Sequence, residues 1–250
     1  MDWKPIDEDL HEYRSDRQAA YYKKVVPDSK PALGVCVPIL RGMAKEIARE
    51  DYRLFMEQYG PCEYLEQDLL KAFVIGYARD ETDTILQTAD AFIPRIQDWM
   101  VSDAFCQNFS MAKKHRREVF AWLQSYIESD QEFFQRVAAV MLMSHFLVDG
   151  YYEQVFSVLG RLRHPGYYAR MGVAWCAATA LAVYPQAGMA YLRGDALEEE
   201  TWHKAVQKAL ESYRVSDENK AILRAMKRER HAAGPQNENG IHKNGWETDG

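Results

Sequence analysis

An all-α fold is what this 250-residue sequence predicts, and three observations carry the prediction. Gly and Pro fall mostly at breaks: Pro27, Pro31, Pro38, Gly60-Pro61, Gly150, Pro165-Gly166, Pro185 and Gly194. Between them run segments of roughly 10–18 residues with apolar positions at helical spacing, and none reads convincingly as a strand. The third observation is an internal echo. FFQRVAAV starts at Phe133, YYARMGVA at Tyr167 and WHKAVQKA at Trp202, in steps of 34 and 35 residues, and a looser copy, YLEQDLLKAF, starts at Tyr64. Periods of about 34 to 47 residues built from helix pairs belong to TPR, HEAT and armadillo arrays. The TPR consensus is absent, so the expected architecture is a HEAT-like, armadillo-type solenoid with a concave binding face.

Along the chain, MDWKPIDEDL is polar and acidic, without the apolar stretch of a signal peptide. In KKVVPDSKPALGVCVP (23–38), Pro27 and Pro31 each remove an amide donor and disfavour helix at the preceding residue. A helix should therefore end near Val25 and an extended connector follow. LLKAFVIGY, VAAVMLMSHFL and MGVAWCAATALAVY are apolar around most of their circumference, as inner helices covered on two sides would be. MAKKHRREVFAWLQSYIES and EETWHKAVQKALESYRV are amphipathic and belong at the surface. Residues 1–230 are expected to form one HEAT-like domain. The polar, Gly- and Asn-rich residues 231–250 are expected to form a disordered tail.

Apolar residues make up 47% of the chain, as in an ordinary globular protein. The net charge of −6 is unevenly spread: residues 1–110 hold 13 Lys and Arg against 20 Asp and Glu, residues 111–230 hold 17 against 14. A basic second half keeps a polyanion such as DNA among the partners. Cys36, Cys62, Cys106 and Cys176 are scattered, with no CxxC pair and no His at ligand spacing, which argues against a zinc site or a disulfide framework. No metal or cofactor is expected. Unpaired thiols suit a reducing compartment, and no apolar run nears the ~18 residues of a membrane span, so a cytoplasmic location without a membrane partner is expected.

Within QDWMVSDAFC (97–106), Trp99 and Asp103 stand four positions apart, on one helix face. By itself such a pair reads as a cap and a core residue. Trp175, in an apolar helix, reads as core, and Arg136 as a salt-bridge partner between repeats. Two basic runs, Lys113, Lys114, Arg116, Arg117 and Arg224, Lys227, Arg228, Arg230, read equally as solvated faces or as phosphate contacts.

Five segments in order change that balance: GVCVPILRGMAKEI (34–47), QDWMVSDAFC (97–106), FFQRVAAVML (133–142), YYARMGVAWC (167–176) and VQKALESYRVSDENK (206–220). Together they resemble the DNA alkylation repair family of HEAT-like repeat glycosylases, the AlkD-like proteins, from about residue 20 to residue 230. The resemblance implies excision of positively charged N3- or N7-alkylpurines from duplex DNA. It implies catalytic roles for Asp103, Trp99 and Trp175, and a DNA-backbone role for Arg136. The chemistry is sound. As the glycosidic bond breaks, the sugar becomes oxocarbenium-like, and a carboxylate about 4 Å away at an effective dielectric near 20 contributes about 4 kcal/mol. Asp103 could also orient the attacking water, and each indole adds ~0.5–2 kcal/mol toward a cation. Arg136 could grip a phosphate bidentately.

This sequence departs from the family pattern in one place. Excising members carry a short DNA-contacting helix just before the turn at 34–38, where Pro27 and Pro31 preclude one here, and Cys36 replaces a basic residue. Two readings stay open: an alkylpurine DNA glycosylase, and a noncatalytic module that binds branched DNA or a protein partner.

Overall fold

The computed structural model of the protein describes residues 4–233. Among them there is helix and connection but no strand. The first half comprises α1 (Lys4–Glu12), α2 (Asp16–Val25), α3 (Val37–Ile47), α4 (Tyr52–Gln58), α5 (Leu65–Tyr77), α6 (Thr82–Phe92) and α7 (Trp99–Asn108). The second comprises α8 (Arg116–Trp122), α9 (Gln124–Ile127), α10 (Glu132–His145), α11 (Tyr152–Leu159), α12 (Tyr167–Val183), α13 (Pro185–Arg193), α14 (Glu199–Glu211) and α15 (Asp217–Ala233).

Six helices form an inner row in which each packs on the next: α3, α5, α7, α10, α12 and α14. The apolar circumference of three of them now has its reason. Eleven of the thirteen residues of α5 are buried, since α3 and α7 flank it and α4 and α6 lie behind. In the same way α10 sits between α7 and α12, and α12 between α10 and α14. The echoed segments fall on four of these six helices, α5, α10, α12 and α14. Residues 231–233, expected to open a disordered tail, belong to a helix. Helix α15 runs through Ala233, with Asp217 and Glu218 in its first turn and Arg230 anchored on the Gly194 carbonyl, Asp195 and the Trp202 ring. The rest of that tail lies outside the described residues.

Helix α2 ends at Val25, where the sequence places the end, and an irregular connector leads to α3. A single buried carboxylate organises it. Glu66, on α5, accepts from the amides of Leu33 (3.0 Å), Gly34 (2.7 Å) and Val35 (3.2 Å). Gly34, at φ +86°, lets these successive amides converge, and a Cβ there would lie 2.0 Å from the Ser15 carbonyl oxygen. Lys30 adds an ion pair to Asp68 at 2.6 Å. The connector carries no helix, but it is not extended throughout: it opens with a turn in which Ser29 N donates to the Val26 carbonyl at 3.1 Å.

Two local features set α7. Asp98 caps it, accepting from Met100 N (2.9 Å) and Val101 N (3.0 Å). Gly76 lets α5 approach it closely: a Cβ at that position would meet the Asn108 carbonyl at 2.6 Å.

Candidate functional site

Trp99 occupies the first turn of α7 and Asp103 follows one turn later. Arg136 reaches them from the neighbouring helix α10. Its Nε donates to Asp103 Oδ1 at 3.0 Å and its Nη2 to Oδ2 at 2.9 Å, a bidentate pair, while Nη1 donates to the Tyr168 carbonyl of α12 at 2.8 Å. Both charged side chains are almost wholly buried, at 7% exposure for Arg136 and 9% for Asp103. One arginine therefore links three consecutive inner helices. Gly172 lies beside its stem, where a Cβ would meet Arg136 Cγ at 3.4 Å, an ordinary contact.

The direct phosphate grip expected of Arg136 does not fit this geometry. All three kinds of guanidinium nitrogen are committed inside the protein, and the group is covered. Its role here is to hold Asp103. Burial pushes the Asp103 carboxyl above the ordinary carboxylate range, and the adjacent Arg136 pulls it back down. Both carboxyl oxygens accept from Arg136, the bidentate geometry of a carboxylate and a guanidinium. Each carboxylate oxygen keeps one lone pair beyond the one Arg136 engages.

The two tryptophans are partly exposed, unlike core residues. Trp99 donates its indole N–H to the Val25 carbonyl at 3.3 Å, so the end of α2 lies against it. Trp175 sits one turn beyond Gly172 on α12 and lines a hollow with Lys208 and Arg214. Three residues later in the connector, Asp28 accepts from the Tyr168 hydroxyl at 3.3 Å, and the Tyr168 ring stacks on Phe133 at 5.4 Å. Residues 25–28 thus bridge the first turns of α7 and α12, past the start of α10. The connector that carries no helix still lies at the site, a contact without any sequence signal.

Sequence reasoning also passed over Lys208. Helix α14 brings it near enough to Asp103 and Arg136 for both to act on its charge. Its place on the amphipathic face of α14, one turn after Lys204, was the available clue.

The basic run at 113–117 lies elsewhere. Arg116 donates from Nε to the His145 carbonyl (3.2 Å) and from Nη1 to the Lys113 carbonyl (3.1 Å), which fixes the run at the carboxyl end of α10. Nine residues separate His145 from Arg136, about 13 Å along the helix. Lys113, Lys114 and Arg117 are exposed there.

A family model described as DNA alkylation repair enzyme matches residues 6–180, a span that contains Trp99, Asp103, Arg136 and Trp175. No curated protein matches the chain.

Proposed function

Since the chain belongs to the DNA alkylation repair enzyme family, we propose that it is a DNA glycosylase hydrolysing the N-glycosidic bond of positively charged N3- or N7-alkylpurines in duplex DNA. Family membership makes it a DNA alkylation repair protein and implies DNA as its partner. The observation that carries the finer reading is the Asp103 carboxylate, held by Arg136 on the row of helices that also bears the partly exposed Trp99 and Trp175. The serial packing of inner helices supports a HEAT-like solenoid as the scaffold, with the duplex along the inner row.

In this reading DNA binding uncovers the Asp103 carboxylate, 9% exposed in the free protein, toward the deoxyribose as its C1′ becomes cationic. Arg136 has two opposed effects. Lying behind the carboxylate, about 8 Å from the sugar, it cancels about 2 of the roughly 4 kcal/mol that Asp103 contributes at an effective dielectric near 20. It also fixes both carboxylate oxygens, so that no reorganisation is needed as charge develops. About 2 kcal/mol remains, roughly a 30-fold rate gain. Trp99 and Trp175 supply flat faces toward the same cation. The substrate's own positive charge, which makes the base a good leaving group, does the rest. Lys113, Lys114 and Arg117 would contact phosphates farther along the duplex.

Duplex DNA carrying N7-methylguanine, incubated with the protein and then cleaved by alkali at abasic sites, tests the proposal. Excision above the spontaneous rate is expected, falling about 10³-fold in Asp103→Asn, which removes the whole ~4 kcal/mol and leaves the Arg136 charge unopposed. Excision no faster than the spontaneous rate by protein that still binds the DNA would leave the second reading, a noncatalytic module for branched DNA or a protein partner. One observation favours that alternative: Arg136 already neutralises the carboxylate.

A further inference from the structure

Beside Trp175, between α12 and the end of α14, lies a hollow of about 250 Å³ lined by Trp175, Thr179, Lys208, Glu211, Ser212 and Arg214. It falls below the range of pockets that enclose whole small molecules, about 300–1,000 Å³, but suits a single compact group. Its charges are unbalanced. Lys208 is half-buried, yet among the described residues no carboxylate lies within ion-pairing distance of it, and the same holds for the exposed Arg214.

Each neighbouring helix contributes to this imbalance. On α14 itself, Glu211 and Lys204 act on Lys208 with opposite sign, and Gln207 Nε2 already occupies Glu211 Oε1 at 2.9 Å. From α7 comes Asp103 and from α10 Arg136, but these two neutralise each other through their bidentate pair. Around the hollow, Lys208 and Arg214 are left against Glu211 alone among its lining residues. Burial, foremost, holds the Lys208 ammonium below the ordinary lysine range; Glu211 opposes that, and Arg136 and Lys204 add to it. A half-buried cation without a counter-ion costs stability, and an incoming anion would relieve the cost.

We infer that this hollow is a backbone-phosphate site, in which Lys208 Nζ and the Arg214 guanidinium grip one phosphodiester of the strand whose sugar rests on Trp175. The assignment rests on the reading that DNA lies along the inner row. It adds to that reading the contact that Arg136, committed inside the protein, does not make. The ligand is recognised by charge and shape, not by base, so undamaged DNA engages it as well.

Binding of undamaged duplex, followed by fluorescence anisotropy from 0.05 to 1 M salt, tests the site in the wild type, Lys208→Met, Arg214→Ala and the double variant. Losing one phosphate contact should flatten the log–log salt slope by about 0.9. At 0.1 M salt that makes binding about eightfold weaker than the wild type, with the difference vanishing near 1 M. Lys208→Met should melt no lower than the wild type, because the charge it removes is unpaired, and Arg214→Ala provides a surface substitution that leaves the core untouched. A double variant with wild-type affinity and slope overturns the site. A wild type that binds no duplex at any salt overturns it together with the DNA reading. The altered slope without any base release would keep the site and remove only the glycosylase.

Discussion

Asp103 and Arg136 meet across the α7–α10 junction through two hydrogen bonds of 3.0 and 2.9 Å, each partner almost wholly shielded from water. Removing one charge leaves the other buried and alone. Arg136→Met should therefore lower unfolding free energy by about 3–5 kcal/mol. The double substitution Asp103→Leu, Arg136→Met should cost clearly less than the sum of the two single ones. Urea unfolding of the four proteins measures this. Additive costs would mean that the pair is not coupled as its geometry requires.

Glu66 holds three consecutive amides at 2.7 to 3.2 Å from within a fully buried position. Hydrogen bonds to a charged acceptor contribute about 1.5–3 kcal/mol each, without simple additivity. Glu66→Ala should cost about 3 kcal/mol or more, and Glu66→Gln, which keeps one acceptor oxygen, should fall between. Hydrogen exchange supplies the local readout: protection at Leu33, Gly34 and Val35 should drop first. Unchanged protection at these amides would contradict the arrangement.

Two helical glycines should respond in opposite senses to the same substitution. At Gly76 a Cβ would lie 2.6 Å from the Asn108 carbonyl, so Gly76→Ala must push α5 from α7 and should cost about 1–3 kcal/mol. At Gly172 the nearest atom would be Arg136 Cγ at 3.4 Å, an ordinary contact. Gly172→Ala should thus be neutral or stabilise by about 0.5–1 kcal/mol through the helix preference for Ala. Melting temperatures compare them directly, and equal losses at both positions would contradict this.

His145 introduces a pH dependence. It is buried, with Nε2 2.7 Å from the Cys106 carbonyl and Nδ1 lacking a hydrogen-bond partner among the described residues. Burial lowers its pKa, opposed by the bond to Cys106 and supported by Lys113 and Arg116. With the folded value below the unfolded one, the unfolded chain binds the extra proton. Stability is then full above about pH 6.5 and declines as pH falls below it, toward the lowered folded value. His145→Gln removes the titration, so its melting temperature should vary less than the wild type's between pH 7 and 5. Parallel curves would rule this group out as the source.

What the sequence made legible was mainly local. Helical spacing and the Gly and Pro breaks gave the all-helical class, and Pro27 gave the end of α2 at Val25. The 34- and 35-residue echo located helices that turn out to be packing neighbours. Trp99, Asp103, Arg136 and Trp175 came from motifs on three consecutive helices of the row, α7, α10 and α12, and a salt-bridge role for Arg136 was already one of its readings. What stayed hidden depends on distances between segments remote in sequence. Whether Arg136 faces outward or inward turns on Asp103 and the Tyr168 carbonyl being in reach together. The solvated 113–117 run gave no hint that Arg116 ties it to the far end of α10.

The Asp28–Tyr168 hydrogen bond spans 140 residues, whereas the helices of the row pack chiefly on successive members. In a linear stack the terminal units ordinarily fray first, each detaching at the expense of a single interface. Here the amino-terminal end is clasped to the middle of the row, through Val25 to Trp99 and through Asp28 to Tyr168. Peeling α2 away therefore loosens α7 and α12 as well, so the two halves of the molecule should lose structure as a single cooperative unit.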